Sequence, residues 1–329
     1  MSRWTRRGAI AAGLAAPWAA RAQGNPQGGN LQGPIRLLVP FAPGGTADQI
    51  ARLVQPGLQQ RLGTTVVVEN RPGAYGSIGA AAAVRAAPDG NTWLFVFDTH
   101  AVNPSLLASQ PFDHERDLAP VMLIGTAPNV IAAHPSRAYR TLGDVLAAAE
   151  ARPGEINYTS AGQGSLGHLT MVLIAQRRGL RMVHVPYSGG AAPAVTAALA
   201  NQVDVIIAAT TVLSAQFSAE TLRPLAQTAP ARHASLLSVP TLSESGLTDI
   251  DATPWWGVYA PGATPRPLID RFNTELSAAL RGEEVNRRLT RLMGVTVIAG
   301  GPEQMREHFA RQVRLWGDVV RQNNIRTEG

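Results

Sequence analysis

Four times along this 329-residue chain a short apolar run breaks on a glycine-rich turn and a helical pattern begins at once. Ile35-Arg36-Leu37-Leu38-Val39-Pro40-Phe41 runs into Ala42-Pro43-Gly44-Gly45-Thr46. The helix after it carries Ile50, Leu53, Val54, Leu58 and Leu62 on one face, and Gly63 stops it. Val66, Val67 and Val68 begin the next strand, and Arg71-Pro72-Gly73 leads into an Ala-rich helix over 77–87. A third strand, 93–97, follows the Pro88-Asp89-Gly90 turn. A βαβαβ order implies parallel strands with right-handed crossovers, and so an α/β fold. The middle of the chain repeats the scheme, with strands expected at 129–133, 156–159, 182–185 and 203–208 and a helix at 142–151. Beyond Trp256-Gly257-Val258-Tyr259 the pattern predicts mostly helix. Ile269, Phe272, Leu276 and Leu280 form one stripe, and Met305, Phe309, Val313, Trp316 and Val320 form another.

Composition narrows the chemistry. With 45% hydrophobic and only 16% charged residues, the chain is long and apolar enough to bury a core, as two domains or one large one. Cysteine is absent, which excludes disulfides, thiolate metal sites, iron–sulfur clusters and a cysteine nucleophile. All 29 basic residues are Arg, so no lysine Schiff base, P-loop lysine or serine–lysine pair can form. The formal charge of +6 owes much to Arg3, Arg6, Arg7 and Arg21, which lie in a 22-residue opening without an acid. No basic stripe with interleaved aromatics points to nucleic acid.

That opening reads as an address. Met1 to Arg7 is positive, 8–20 is short and apolar, and Ala20-Arg21-Ala22 fits a cleavage site before Gln23. Thr5-Arg6-Arg7-Gly8-Ala9-Ile10 is a loose twin-arginine pattern, compatible with export of a folded chain. Residues 23–33 then read as a flexible spacer, and a periplasmic location is expected.

The turns carry the chemistry. They are Ala42-Pro43-Gly44-Gly45-Thr46, Pro72-Gly73-Ala74-Tyr75-Gly76-Ser77, Ser160-Ala161-Gly162-Gln163-Gly164-Ser165 and Ser188-Gly189-Gly190-Ala191. A helix start offers unpaired N–H groups and a positive dipole end, and glycine lets a ligand approach the backbone. Alone, each turn is ordinary punctuation; together they predict an anion-binding crevice at the strand C-termini. Gly162-Gln163-Gly164-Ser165-Leu166-Gly167 matches a dinucleotide fingerprint. The acid that fingerprint needs is missing, because none occurs between Glu155 and Asp204. Ser165 and His168 are helix neighbours without a nucleophile-elbow sequence, so bracing the loop is the expected role. The scattered His residues predict no metal site.

Several of these segments together resemble the substrate-binding receptors of tripartite tricarboxylate transporters, the Bug-type receptors. The resemblance rests on 39–48 (VPFAPGGTAD), 68–74 (VENRPGA) and Pro88-Asp89-Gly90. It continues through Gly164-Ser165, Gly167-His168-Leu169, 185–190 (VPYSGG), Gln202-Val203-Asp204, Pro240-Thr241 and Trp256-Gly257. It implies a type II periplasmic-binding-protein fold, in which two α/β lobes close on a ligand. Lobe I would hold 34–130 and 256–329, and lobe II 131–255, with the crossings at 129–133 and 255–259. The resemblance further implies an exported, monomeric receptor, without enzymatic activity or cofactor, that captures a small organic carboxylate for the transporter's membrane subunits. The ligand-contacting residues would be Phe41, Pro43, Gly44, Gly45, Thr46, Tyr75, Gly76, Ser77, Ser160, Ala161, Gly164, Ser165, His168, Ser188, Gly189, Gly190, Ala191 and Asp204. Two other readings remain open at this point: an extracytoplasmic sensor partner with the same fold, and an exported hydrolase using Ser165 and His168.

Overall fold

The structure, a computed structural model, describes residue 31, residues 33–187 and residues 190–326. The expected leader, its cleavage site after Ala22, most of the spacer, Ser188 and Gly189 lie outside the described residues. In lobe I the chain forms β1 (Ile35–Val39), α1 (Thr46–Leu62), β2 (Val66–Asn70), α2 (Ser77–Val84) and β3 (Thr92–Phe97). It continues as α3 (Thr99–Leu106), the single turn α4 (His114–Asp117) and β4 (Leu118–Thr126). Lobe II follows with β5 (Asn129–Ala133), α5 (Leu142–Ala151), β6 (Asn157–Thr159), α6 (Leu166–Arg178) and β7 (Val183–His184). Then come α7 (Ala191–Leu199), β8 (Val205–Ala209), α8 (Thr210–Ser218) and β9 (Arg223–Gln227). The chain returns to lobe I as β10 (Trp255–Pro261), α9 (Arg266–Arg281), α10 (Glu283–Arg287), β11 (Thr296–Gly300) and α11 (Pro302–Gln322).

The lobe I sheet runs β11-β4-β10-β3-β1-β2. β1 pairs in parallel with β2 and β3, as the βαβαβ reading requires, whereas β10, β4 and β11 add antiparallel. Leu37, Val39, Trp93 and Phe95 face one core under α1 and α9, and Leu38, Leu94 and Val96 face another under α2 and α11. A strand covered on both faces has no polar alternation to show, which is why β1 reads as a continuous apolar run. Trp93 stacks on Phe272 of α9 at 3.8 Å, fixing that helix to the sheet. The C-terminal part is mostly helix, as expected, and adds β11, a short edge strand whose Thr296–Gly300 sequence shows no marked alternation.

The lobe II sheet runs β7-β6-β8-β5-β9. β5 lies wholly in this sheet and β10 wholly in the other, so the chain changes lobe just ahead of each strand rather than within it. The two passages are tied together. Ala127 N–H donates to the Pro254 carbonyl (3.1 Å), and Thr228 N–H donates to the Asn129 carbonyl (3.0 Å). The Thr253 hydroxyl donates to the Thr228 carbonyl (3.0 Å).

A further cluster joins the lobes away from these passages. Leu166, Leu169 and Leu173 of α6 pack with Val102 and Leu106 of α3 and with Trp316, Val319 and Val320 of α11, all buried. At roughly 1.5–3 kcal/mol for each fully buried large side chain, this seam holds the α6 side of lobe II firmly against lobe I.

Candidate functional site

Strand C-termini from both lobes end at one cleft. In lobe I, β1 delivers the Pro43–Thr46 turn. Gly44 takes φ 84° and its N–H donates to Asp48 Oδ2 (2.8 Å), while Gln49 Nε2 donates to the Gly44 carbonyl (2.7 Å). Asp48 is itself held by Arg52 (2.9 Å) and Asn70 (2.9 Å), so the turn is locked before any ligand arrives.

The turn after β2 is strained. Gly73, Ala74, Tyr75 and Gly76 all have positive φ, at 126°, 45°, 54° and 92°. Glycine tolerates this, but Ala74 and Tyr75 do so at a cost on the order of 1–3 kcal/mol each. Asn103 Nδ2 donates to the Tyr75 carbonyl (3.0 Å) and Gly76 N–H to the Gly73 carbonyl (3.0 Å), which keeps the turn in place. A methyl group on Gly76 would sit 3.2 Å from the Phe41 ring, so the turn and that ring are fitted to each other.

In lobe II the turn after β6 is braced by side chains. Ser165 is the N-cap of α6: its Oγ accepts from His168 N–H (3.3 Å) and donates to the Gly162 carbonyl (2.7 Å). Ser160 Oγ donates to the same carbonyl (3.1 Å) and meets His184 Nε2 at 2.9 Å. His168 Nδ1 accepts from Gly164 N–H (3.1 Å), which places the proton of the neutral ring on Nε2. The rings of His168 and His184 stack at 4.1 Å. Burial, with His184 beside it, pushes His168 down to a pKa of about 3. Ser165 Oγ and His168 Nδ1 are thus each bonded to the loop backbone rather than to each other, and the pair braces the turn.

The cleft encloses about 520 Å³. Of the residues expected to contact ligand, Phe41, Tyr75, Ala161, Ser165 and Gly190 line it. Gly76, Ser77, Ser160, Gly164 and His168 are buried just behind that lining, supporting it. Pro43, Gly44 and Gly45 are exposed, Thr46 and Ala191 are half-buried, and all five flank the cleft at the starts of α1 and α7. Ser188 and Gly189 lie outside the described residues.

Asp204 is a correction. It precedes β8, at the end of the strand opposite the cleft. Its carboxylate accepts from Arg137 Nη1 (2.8 Å), the Tyr139 hydroxyl (3.2 Å) and Asn157 N–H (3.0 Å). Its carboxylate ties β6 to β8, away from the cleft lining.

Gly162 and Gln163 of the Ser160–Ser165 turn also line the cleft, as do Phe97, Thr99, Pro186 and Tyr187, which no glycine-turn signal marks as ligand contacts. Phe97 and Thr99 end β3 and begin α3 without a glycine between them, so no turn signal announces them. Their signal is positional: β3 is parallel to β1, and the register of Leu38 with Leu94 sets Phe97 level with Phe41 at the cleft.

None of the eleven residues lining the cleft carries a charge. What they surround are helix starts. α1, α2 and α7 begin on Gly45, Gly76 and Gly190, none of which brings a side-chain cap. The Ser77 N–H donates to the Ala74 carbonyl, and no side chain caps the other first-turn N–H groups of these helices. Ser77 Oγ at the start of α2 and Thr99 Oγ1 on the lining are buried and have no partner. Asp98, between Phe97 and Thr99, is 1% exposed and its carboxyl oxygens also lack a partner. Burial drives its pKa well above the ordinary carboxyl range. Among the described residues, no group of three or more His, Asp or Glu is placed to hold a metal ion.

Comparison with known proteins gives the same picture. Residues 50–325 match the family model described as tripartite tricarboxylate transporter family receptor. Protein BugT of Bordetella pertussis is 34% identical over 295 residues, covering 89% of this chain and 90% of its own. The solved periplasmic binding protein BugD is 28% identical at a TM-score of 0.76, covering 90% of this chain and all of its own. R. palustris Rpa4515, solved with adipate, is 29% identical at a TM-score of 0.79 and covers 89% of this chain and 98% of its own. Relatives and neighbours of this kind are solute-binding proteins rather than enzymes, with the two-lobed α/β architecture found here. The chain belongs to the tripartite tricarboxylate transporter receptor family, the Bug-type solute-binding proteins.

Proposed function

We propose that this protein is an exported, monomeric receptor that captures a small organic carboxylate between its lobes and hands it to the membrane subunits of a tripartite tricarboxylate-type transporter. Its leader is cleaved after Ala22, and it works in the periplasm. One observation carries the carboxylate reading: helix starts on Gly45, Gly76 and Gly190 and the unpartnered Ser77 hydroxyl flank a cleft whose lining has the unpartnered Thr99 hydroxyl and no charged side chain. N–H and O–H donors around a cleft without a charged side chain favour an anion over a cation or a neutral amide. The solved neighbour with adipate supports the same ligand class.

The reading predicts a clean chemical preference. Each acid from a carboxylate panel that raises the unfolding temperature should bind well over tenfold more tightly than its primary amide. The amide forfeits charge-assisted hydrogen bonds worth about 1.5–3 kcal/mol each. At a hundred times its dissociation constant the acid should stabilise the fold by roughly 2.7 kcal/mol and be recovered unchanged. Equal affinity for acid and amide, or turnover of the acid, defeats the proposal.

A further inference from the structure

We propose that the acid taken by this cleft has a planar, unsaturated body, so that the ligand is an aromatic or conjugated carboxylate rather than a flexible aliphatic diacid. The inference rests on the carboxylate reading above and adds what the remainder of the cleft asks of the ligand. Aromatic residues are only 5% of the chain, yet four of the eleven residues lining the cleft are Phe or Tyr. Phe41 and Phe97 meet edge to face at 6.3 Å, and Phe97 lies over Trp256 at 5.5 Å, giving lobe I an aromatic floor. Tyr187 supplies a ring from lobe II, and Tyr75 supplies one from the strained turn.

Tyr75 is the informative member. It is 39% exposed, so core packing does not explain a bulky residue there. Its φ of 54° carries backbone strain, and Asn103 Nδ2 donates to its carbonyl, so the turn is held with Tyr75 on the cleft lining. Aromatic residues on the lining from both lobes suit a flat guest, since aromatic groups prefer offset or edge-to-face neighbours. The absence of charge on the lining points the same way. The second carboxylate of a diacid would be buried there without a cation, which is unfavourable.

The test is calorimetric titration at about pH 7.5, where every acid used is ionised. The probes are benzoate, trans-cinnamate, cyclohexanecarboxylate and adipate, with benzamide and cinnamamide as amide controls. The proteins are the full mature chain and its Tyr75→Phe, Tyr75→Ala and Tyr187→Leu variants, each checked for an intact thermal transition. The inference expects the two planar acids to bind roughly threefold to tenfold more tightly than cyclohexanecarboxylate, with adipate no better than the latter. Tyr75→Ala or Tyr187→Leu should shrink that ratio, and Tyr75→Phe should keep it. A ratio near one in the unaltered protein, tighter binding of adipate, or a ratio untouched by both ring deletions overturns it. So does failure of both planar acids to bind at about 10 mM. The two readings fail separately. Amides that bind as well as their acids remove the carboxylate reading, whereas a saturated acid that wins while acids still beat amides removes only this one.

Discussion

Acidifying the protein from about pH 7.5 to about pH 5.5 should remove roughly 4 kcal/mol of unfolding free energy through three buried histidines alone. His114, His168 and His308 are 8%, 7% and 7% exposed. Burial holds them at pKa values of about 4, 3 and 4. In the unfolded chain each titrates near the ordinary value of about 6.5, so below that pH the unfolded state binds protons that the folded state refuses. The stability is fully present above the unfolded value and drains away as pH falls towards the folded values. The loss is roughly 1.4 kcal/mol per histidine at about pH 5.5. His100 acts in the same direction, because it is buried and its Nε2 lies 3.1 Å from His114 Nδ1. Asp98 acts oppositely: its folded pKa is raised, so the stability it costs at neutral pH is regained on acidification. Denaturant unfolding of Asp98→Asn at the two pH values therefore reads the histidines most cleanly, and Asp98→Asn should itself stabilise the protein at neutral pH. Unfolding free energies that agree at the two pH values would contradict the argument. Against a typical total of about 5–15 kcal/mol, the expected loss is large. It also reaches the site, since a proton on His168 Nδ1 would oppose the Gly164 N–H that now donates to it.

Gly164→Ala should cost about 2–5 kcal/mol and weaken ligand binding, whereas Gly154→Ala should cost only about 1–2 kcal/mol and leave binding alone. Both glycines sit in left-handed backbone, at φ 72° and 84°. They differ in what surrounds them. A methyl group at Gly154 meets nothing within 4 Å, but at Gly164 it would sit 2.5 Å from Leu106 Cδ2. Leu106 is 5% exposed and belongs to the buried seam between α3, α6 and α11, so it has little room to yield. The methyl group would wedge the lobes apart beside the turn that lines the cleft. Thermal unfolding and titration of both variants separate the shared backbone term from the seam. Equal losses in the two would mean that the seam does not hold the lobes together.

Parts of this molecule are plain in its sequence, and the reasons are local. β1 is legible because a doubly covered parallel strand is uniformly apolar, and α1 because its apolar stripe ends at Gly63, which closes the helix in left-handed backbone at φ 66°. The glycine turns identify the cleft because a helix start without a cap is a local property. Asp204 lies in a family motif, which says nothing about which end of a strand a residue occupies. Phe97 and Thr99 escaped notice because β3 hands over to α3 without glycine. The seam could not be read at all: the leucines of α6 find α11 about 150 residues away, and only the folded topology brings them together. Tyr75 was visible as an oversized residue in a glycine turn, but its strained backbone and its place on the cleft wall emerge only in three dimensions.

A crystal structure of the protein with a captured acid, benzoate being the first to try, should show the carboxylate between the lobes. Its oxygens should lie within hydrogen-bond distance of first-turn N–H groups of α1, α2 or α7 and of the Ser77 or Thr99 hydroxyl, with no arginine in contact. A carboxylate held by an arginine ion pair, or an acid seated outside this cleft, would contradict it.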